Sequence, residues 1–505
     1  MPSPAPTLAT LCHRDPGSEA LRDHRRRLTW GELEDRTNAI GHGLGSLGVR
    51  PGDHVALVAT NRAEFVELLL AALRCGAVLT PLKTSWTGAE LGLVLDDAGS
   101  VLVVTDTDGG RRAAAASGVP ILDLDADFDA WVGSQSPSPL GAELGGWRMS
   151  FTSGTTGRPK GVARSRDLGV PFCESFPRSA GWARMLGFPD DAPHLVVSRL
   201  FHGAPLSFGL SALALGAPLR ILDRWEPAHA LEAMGDGVAS SSWVPSQFRA
   251  VLGLPEEMRA AFDPSGLRTV AHGGEPCPEE LKRRVLSWWG PVLTEYYGCS
   301  EGGMTLATPE QWLERPGTVG LPVPGQRIRI LDDDGNDVPA GVEGRVFFEY
   351  ESGRAFRYAN DDAKTERAHV GAAFTAGDLG RLDDDGFLFL SGRSSEVIVT
   401  AGVNVYPAEI EAALSDVPGL ADLAVVAGPD ELRGEQPVAF VAVEPGADER
   451  TVLADVSAAA EARLAAEKRP RDVRVVASIP RDPTGKLLRG RLEEQLWGDR
   501  PRFAG

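Results

Sequence analysis

Over the first 140 residues, short continuous apolar runs alternate with stretches of helical spacing. Residues 54–59, 77–79 and 101–104 have the length and composition of buried strands. Residues 61–74 carry a helical pattern, and Gly52-Asp53 marks a turn. Thr29-Trp30-Gly31-Glu32 predicts a helix start, with Thr29 as the cap and Glu32 three residues on, as in a capping box. This alternation predicts parallel sheets faced by helices. Residues 105–147, richer in Asp, Gly, Ser and Pro, read as surface connection. Residues 148–320 hold most of the unusual Gly, Thr and His clusters. Residues 327–393 are strand-rich, with hairpin signals at Asp334-Gly335 and Asp385-Gly386.

From about residue 396 the texture changes. Strand patterns at 397–399, 421–427, 438–443 and 473–476 and helical patterns at 407–414 and 449–468 make a compact α+β unit of about 110 residues. The expected division is a large domain over 1–393, a hinge at 394–395 and a small domain over 396–505.

Composition narrows the classes. A chain of 505 residues holds about three domain-sized units and can bury a sizeable core. The net charge of −19 repels phosphate backbones and anionic lipid surfaces, so nucleic acid is not an expected partner. The short basic cluster Arg25-Arg26-Arg27 reads as a solvated loop. The most apolar stretch, 65–82, is interrupted by Glu67 and Arg74, so membrane insertion is not expected. The five cysteines are odd in number, widely spaced and free of C-x-x-C, which fits a reducing compartment. The start MPSPAPTLATLCHRD lacks a basic segment followed by an apolar core, so no secretory signal is read. The expected location is the cytoplasm.

The candidate chemistry begins at Thr152-Ser153-Gly154-Thr155-Thr156-Gly157-Arg158-Pro159-Lys160-Gly161, after the strand-like 147–151. Glycines permit backbone conformations that expose successive N–H groups, the hydroxyls add donors, and Lys160 adds a positive charge. Such a loop can cradle nucleotide phosphates. A Walker A loop would need Gly-Lys-Ser/Thr, which is absent, so that reading is rejected.

The loop resembles the phosphate-binding signature of the adenylate-forming superfamily, which includes acyl-CoA synthetases, peptide synthetase adenylation domains and firefly luciferase. The resemblance runs over roughly 28–490, through several motifs in the family's order, and looks closest to bacterial acyl-CoA synthetases. It implies an α/β fold: a large N-terminal domain of layered α/β sheets with a β-barrel-like subdomain, then a small mobile α+β domain. Tyr296-Tyr297-Gly298-Cys299-Ser300-Glu301 is similar to the family's Tyr-Gly-x-Thr-Glu. By that match Tyr297 and Gly298 bind adenine, Ser300 contacts the α-phosphate and Glu301 holds Mg²⁺; an aromatic face suits a purine and a hard carboxylate suits Mg²⁺. Thr375-Ala376-Gly377-Asp378 and Ser391-Gly392-Arg393 resemble its Thr-Gly-Asp and Gly-Arg elements. Asp378 would accept both ribose hydroxyls, and Arg393 would approach the ribose or phosphate.

Pro480-Arg481-Asp482-Pro483-Thr484-Gly485-Lys486 is similar to the family's C-terminal Pro-x-x-x-x-Gly-Lys, which makes Lys486 the catalytic lysine. Two anions must meet in adenylation, so a positive charge reaching both is the main requirement. Ser395 falls at the family's hinge, where Asp or Lys is usual, and backbone rotation there needs only a few residues. The segment from Ala401 to Glu411 resembles the loop brought to the site for the second half-reaction, and Gly402 would let the acceptor pass.

On the acid side, His202 in Leu200-Phe201-His202-Gly203 would gate the pocket or contact the carboxylate, with a packed histidine as the alternative. Gly273-Gly274-Glu275-Pro276 resembles the segment lining adenine and the acyl tunnel. Phe201, Phe208, Val244 and Gly273 are expected as mostly apolar walls. No Asp stands at an evident position for an α-amino group, which turns the reading away from amino acids as the acid substrate.

The implied reaction is a two-step ligation. A small carboxylic acid and MgATP give acyl-AMP and pyrophosphate, then a nucleophile takes the acyl group. Coenzyme A is the expected acceptor; an amine, or a carrier-protein thiol supplied in trans, is the alternative. A nucleotide sensor without turnover is disfavoured because Lys160, Glu301, Asp378 and Lys486 are all present.

Overall fold

The computed structural model describes residues 6–126, 128–140, 145–152, 160–164, 170–299, 301–353, 356–358, 362–393, 396–400, 403–430, 433–482 and 487–498. Among these, strands Ile121–Asp123, Ser100–Thr105, His54–Val58, Val78–Pro81 and Trp147–Arg148 form, in that order, a five-stranded sheet that is parallel throughout. A second sheet of nine strands has a parallel centre: Leu293–Cys299, Thr269–His272, Ser240–Trp243, His194–Val196, Leu219–Ile221 and Glu19–Arg22. Antiparallel strands Gly302–Ala307, Leu321–Pro322 and Arg27–Thr29 complete its edges. The expected parallel sheets are present.

Helices Trp30–Ser46 and Ala63–Cys75 share one buried apolar cluster with residues of both sheets, among them Ile40, Leu69, Leu57, Val104 and Leu219. A helix enclosed this way must be apolar nearly all round, which is the texture of residues 63–75. The Thr29–Glu32 capping box forms in both directions, at 3.2 and 2.8 Å. Residues 105–147 are more than a surface connection: they fold into helix Asp108–Ser117, strand Ile121–Asp123 and helix Phe128–Gly133. Ala113, Ala114, Leu124, Phe128 and Val132 are buried there. Apolar positions that sparse are outweighed in the sequence by the polar faces they carry.

Strands Gln326–Leu331, Gly344–Tyr350, His369–Val370, Ala373–Phe374, Asp378–Leu382 and Leu388–Arg393 form an antiparallel sheet. Gly335 and Gly386, with φ of +83° and +84°, occupy the two turns signalled by Asp-Gly. In the C-terminal part, strands Ile398–Thr400, Val403–Val405, Leu420–Asp430, Gly434–Val443 and Asp472–Val475 form a further sheet. Helices Pro407–Leu414 and Glu449–Arg463 bury Ile410, Leu414, Val452 and Val456 against it. The second helix ends five residues before the expected 468: Leu464 is extended, and the Arg469 guanidinium donates to the Leu464 and Glu461 carbonyls. No helix among the described residues is long and apolar enough to cross a membrane.

Candidate active site at the strand ends

Four parallel neighbours in the nine-stranded sheet place the candidate residues. His194–Val196, Ser240–Trp243, Thr269–His272 and Leu293–Cys299 lie side by side in one direction. Their C-terminal ends lead into Phe201-His202, Val244, Gly273–Pro276 and Tyr297–Glu301 respectively. Residues separated by a hundred positions thus share one edge of the sheet, where open α/β sheets bind ligands.

Gly273 is required by packing. A Cβ there would stand 2.2 Å from the Tyr296 carbonyl oxygen and 2.9 Å from its ring. The glycine lets this loop lie flat against the neighbouring strand, and Gly274 continues it at φ +80°. His272 points the other way. It is fully buried beside Phe248, and its Nε2 lies 3.7 Å from Glu295, which the buried Lys282 contacts at 2.7 Å. Burial, then the Lys282 charge, holds this imidazole well below its ordinary pKa, so it is neutral. The Glu275 side chain is committed to helix Pro245–Leu252: it accepts the Ser246 N–H and hydroxyl, both at 3.0 Å. Burial holds its carboxyl above the ordinary range against the pull of Arg481, Ser246 and Arg249. What Glu275 leaves to a ligand is its backbone.

Asp378 and Arg393 face each other across the antiparallel pair Asp378–Leu382 and Leu388–Arg393, in direct register. The Arg393 Nε donates to Asp378 Oδ1 at 3.0 Å, and the Tyr297 hydroxyl donates to Oδ2 at 2.6 Å. Burial and then the Asp378 charge hold the Tyr297 phenol well above its usual pKa, so it stays a donor. Two motif residues, one from each of two sheets, therefore converge on the carboxylate of a third. Glu301 is half-buried at the tip of the hairpin formed by Leu293–Cys299 and Gly302–Ala307. Gly303, at φ +77°, presses that hairpin onto the antiparallel sheet, since a Cβ there would lie 2.3 Å from the Phe348 ring.

His202 is the residue preceding helix Gly203–Leu215, with its ring 4.4 Å from that of Phe201. Phe208 is buried, edge-to-face with Tyr296 at 4.9 Å, and Val244 stands 3.9 Å from a Cβ placed on Gly274. The backbones of Thr152 and Lys160 pair directly, so the two ends of the Gly-rich motif are adjacent. Ser153, Gly154, Thr155, Thr156, Gly157, Ser300, Ser395, Gly402 and Lys486 lie outside the described residues.

Sequence reasoning missed Asn61 and Tyr296. The buried Asn61 amide donates to the Ser198 and Leu222 carbonyls at 2.9 and 3.0 Å and accepts the Leu200 N–H at 2.9 Å. It ties the end of strand His54–Val58 to the loop that carries Phe201 and His202. The available signal was a polar residue between a strand pattern and an apolar helix pattern. Tyr296 was visible only as the neighbour of Tyr297.

A family model for AMP-binding enzymes matches residues 8–352, and one for the C-terminal domain of AMP-binding enzymes matches 409–486. The chain belongs to this family, and it is an ATP-dependent acid ligase of the adenylate-forming kind. It is similar to the fatty acid–[acyl-carrier-protein] ligase ScoC of Streptomyces coeruleorubidus, 30% identical over 98% of this chain and 97% of that protein. A feruloyl-CoA synthase of an Amycolatopsis species is 31% identical over 95% and 96%. Among solved structures, the amide bond synthetase McbA of Marinactinospora thermotolerans superposes with a TM-score of 0.83, at 25% identity over 97% and 99% of the two chains.

Proposed function

We propose that the chain activates a small carboxylic acid with MgATP as its acyl-adenylate, releases pyrophosphate, and then passes the acyl group to the thiol of coenzyme A. The Asp378 cluster carries this reading. Its carboxylate is bound by two donors and keeps acceptor capacity for the paired hydroxyls of a ribose. Tyr297 beside it presents an aromatic face to adenine. The Gly273–Pro276 backbone borders the same strand ends, between the nucleotide and the acid. His202, Phe201, Tyr296 and Val244 would line the position of the acid, with Phe208 packed edge-to-face on Tyr296.

The described residues contain no group of three or more His, Cys, Asp or Glu able to hold a metal ion. Glu301, half-buried at the hairpin tip, is a hard oxygen donor that would hold Mg²⁺, and the ion would supply neutralisation of phosphate charge. Lys160 and the Ser153–Gly157 backbone would hold the departing pyrophosphate, Ser300 would contact the α-phosphate, and Lys486 would bring positive charge to carboxylate and phosphate as they meet. Gly402 would border the acceptor after rotation at Ser395. We assign the divisions 1–393 and 396–505 to the two bodies of that rotation.

ATP–pyrophosphate exchange with a panel of aliphatic and aromatic acids tests the first step; no exchange with any acid sinks it. A carrier-protein thiol is the second reading, favoured by the similarity to an acyl-carrier-protein ligase along nearly the whole chain. Supplying coenzyme A, a carrier protein or an amine separately, and identifying the acylated product by mass, separates the acceptors.

A further inference from the structure

The segment leading to Lys486 carries two adjacent charges, Arg481 and Asp482. Asp482 Oδ2 lies 3.4 Å from the Nζ of Lys83, and the two side chains are only 12% and 18% exposed. Lys83 stands two residues beyond strand Val78–Pro81, at the C-terminal edge of the five-stranded sheet. Arg481 grips Asp422 of strand Leu420–Asp430 with two hydrogen bonds at 2.8 and 2.9 Å. Its charge also acts on Glu275, which caps helix Pro245–Leu252.

Arg481 is thus held by the C-terminal sheet, while Asp482 beside it reaches Lys83 at the edge of the five-stranded sheet.

We propose that Lys83 is a positioning residue, whose ion pair with Asp482 holds the chain that runs on to Lys486 beside the five-stranded sheet for the first half-reaction alone. This rests on the reading of Lys486 given above. The pair joins parts of the chain on either side of the 394–395 hinge, so rotation for acyl transfer must break it. In a shielded ion pair the loss of hydration offsets most of the attraction, so its net contribution to overall stability is small. In an equilibrium between two domain arrangements, the same small difference acts directly on their populations.

The test uses the full-length protein. A zero-length carbodiimide joins an amine to a carboxylate only in contact, so a Lys83–Asp482 conjugate is expected in tryptic digests. It should be missing in Lys83→Arg, which keeps the charge without the amine. Pyrophosphate exchange is then measured with the best acid of the panel, and acyl transfer from that acid's synthetic adenylate. Lys83→Glu should lower exchange about tenfold and leave transfer within about twofold. Lys83→Arg should stay near wild type, and the exchange Lys83→Glu with Asp482→Lys should recover most of the loss. Absence of the conjugate, unchanged exchange in Lys83→Glu, equal loss in both half-reactions, or no recovery in the double variant overturns the proposal. Failure of the Lys486 reading shows separately, as wild-type exchange in Lys486→Ala while the conjugate still forms.

Discussion

Two clusters of buried charge in this protein look alike in sequence and differ in what surrounds them. In the first, Glu64 and Glu67 of helix Ala63–Cys75 are almost wholly buried, at 1% and 0% exposure. Arg36 and Arg26 contact Glu67 at 2.7 and 3.5 Å, and Arg26 and Arg62 contact Glu64 at 2.7 and 2.9 Å. In the second, Asp378 is held by Tyr297 and Arg393, but the Arg393 side chain is 45% exposed. In the first cluster the two glutamates are spent on these arginines, whose outer faces pair with the exposed Asp129 and Asp125. The second keeps an open flank and unused acceptor positions. Buried charge alone therefore does not mark a candidate site; acceptor capacity left over beside an exposed partner is what sets the second cluster apart.

The sharpest way to break this comparison is to remove one carboxylate from each cluster. Glu67→Ala leaves Arg26 and Arg36 facing a vacated interior position, and should lower stability by about 3–5 kcal/mol in urea unfolding. The kcat of the molecules that remain folded should stay within about twofold. Asp378→Ala should do the reverse: kcat/KM for ATP falls about a hundredfold, or about 2.7 kcal/mol, while stability falls less than in Glu67→Ala because the released Arg393 reaches solvent. Equal stability losses in both variants would end the distinction between a spent and an open cluster.

Asn61→Ala falls between the two. It leaves two carbonyls and one N–H buried without their partner, so about 2 kcal/mol of stability should be lost. Because the freed loop carries His202, the KM for the acid should rise as well. A stability loss with unchanged KM would make Asn61 purely structural.

The smallest effect is expected from an open surface pair. Arg111 donates to Asp123 at 2.6 and 2.9 Å. That hydrogen bonding lowers the Asp123 carboxyl to about 2. A carboxyl held below its unfolded value near 3.8 contributes stability at higher pH and loses it as pH falls from about 4 to 2. Solvent screening keeps the contribution under about 1 kcal/mol, so Asp123→Asn should cost less than that at pH 7 and only a small fraction of it at pH 2.

Local signals were legible in the sequence because their causes are local. The Thr29–Glu32 box needs only one helical turn, and the Asp-Gly pairs need only a turn with positive φ at glycine. Residues 105–147 misled because their buried alanines and few large apolar residues are outnumbered by polar ones. The motif residues of the site could be named one by one through resemblance. Their roles at the side-chain level could not: Glu275 reads as a ligand residue, yet its carboxylate serves a helix end.

The sequence by itself determined the alternation of strands and helices, the Gly-rich loop, the candidate motif residues and the family they resemble. Each depends on residue type and spacing along a few consecutive turns. Only the tertiary structure decided that four parallel strands bring His202, Val244, Gly273 and Tyr297 to one edge, and that Asp378 meets Arg393 in register. It alone set Lys83 opposite Asp482. These contacts join residues 15 to 399 positions apart. Strand order and register are fixed by which faces bury together, and no local stretch of chain carries that information.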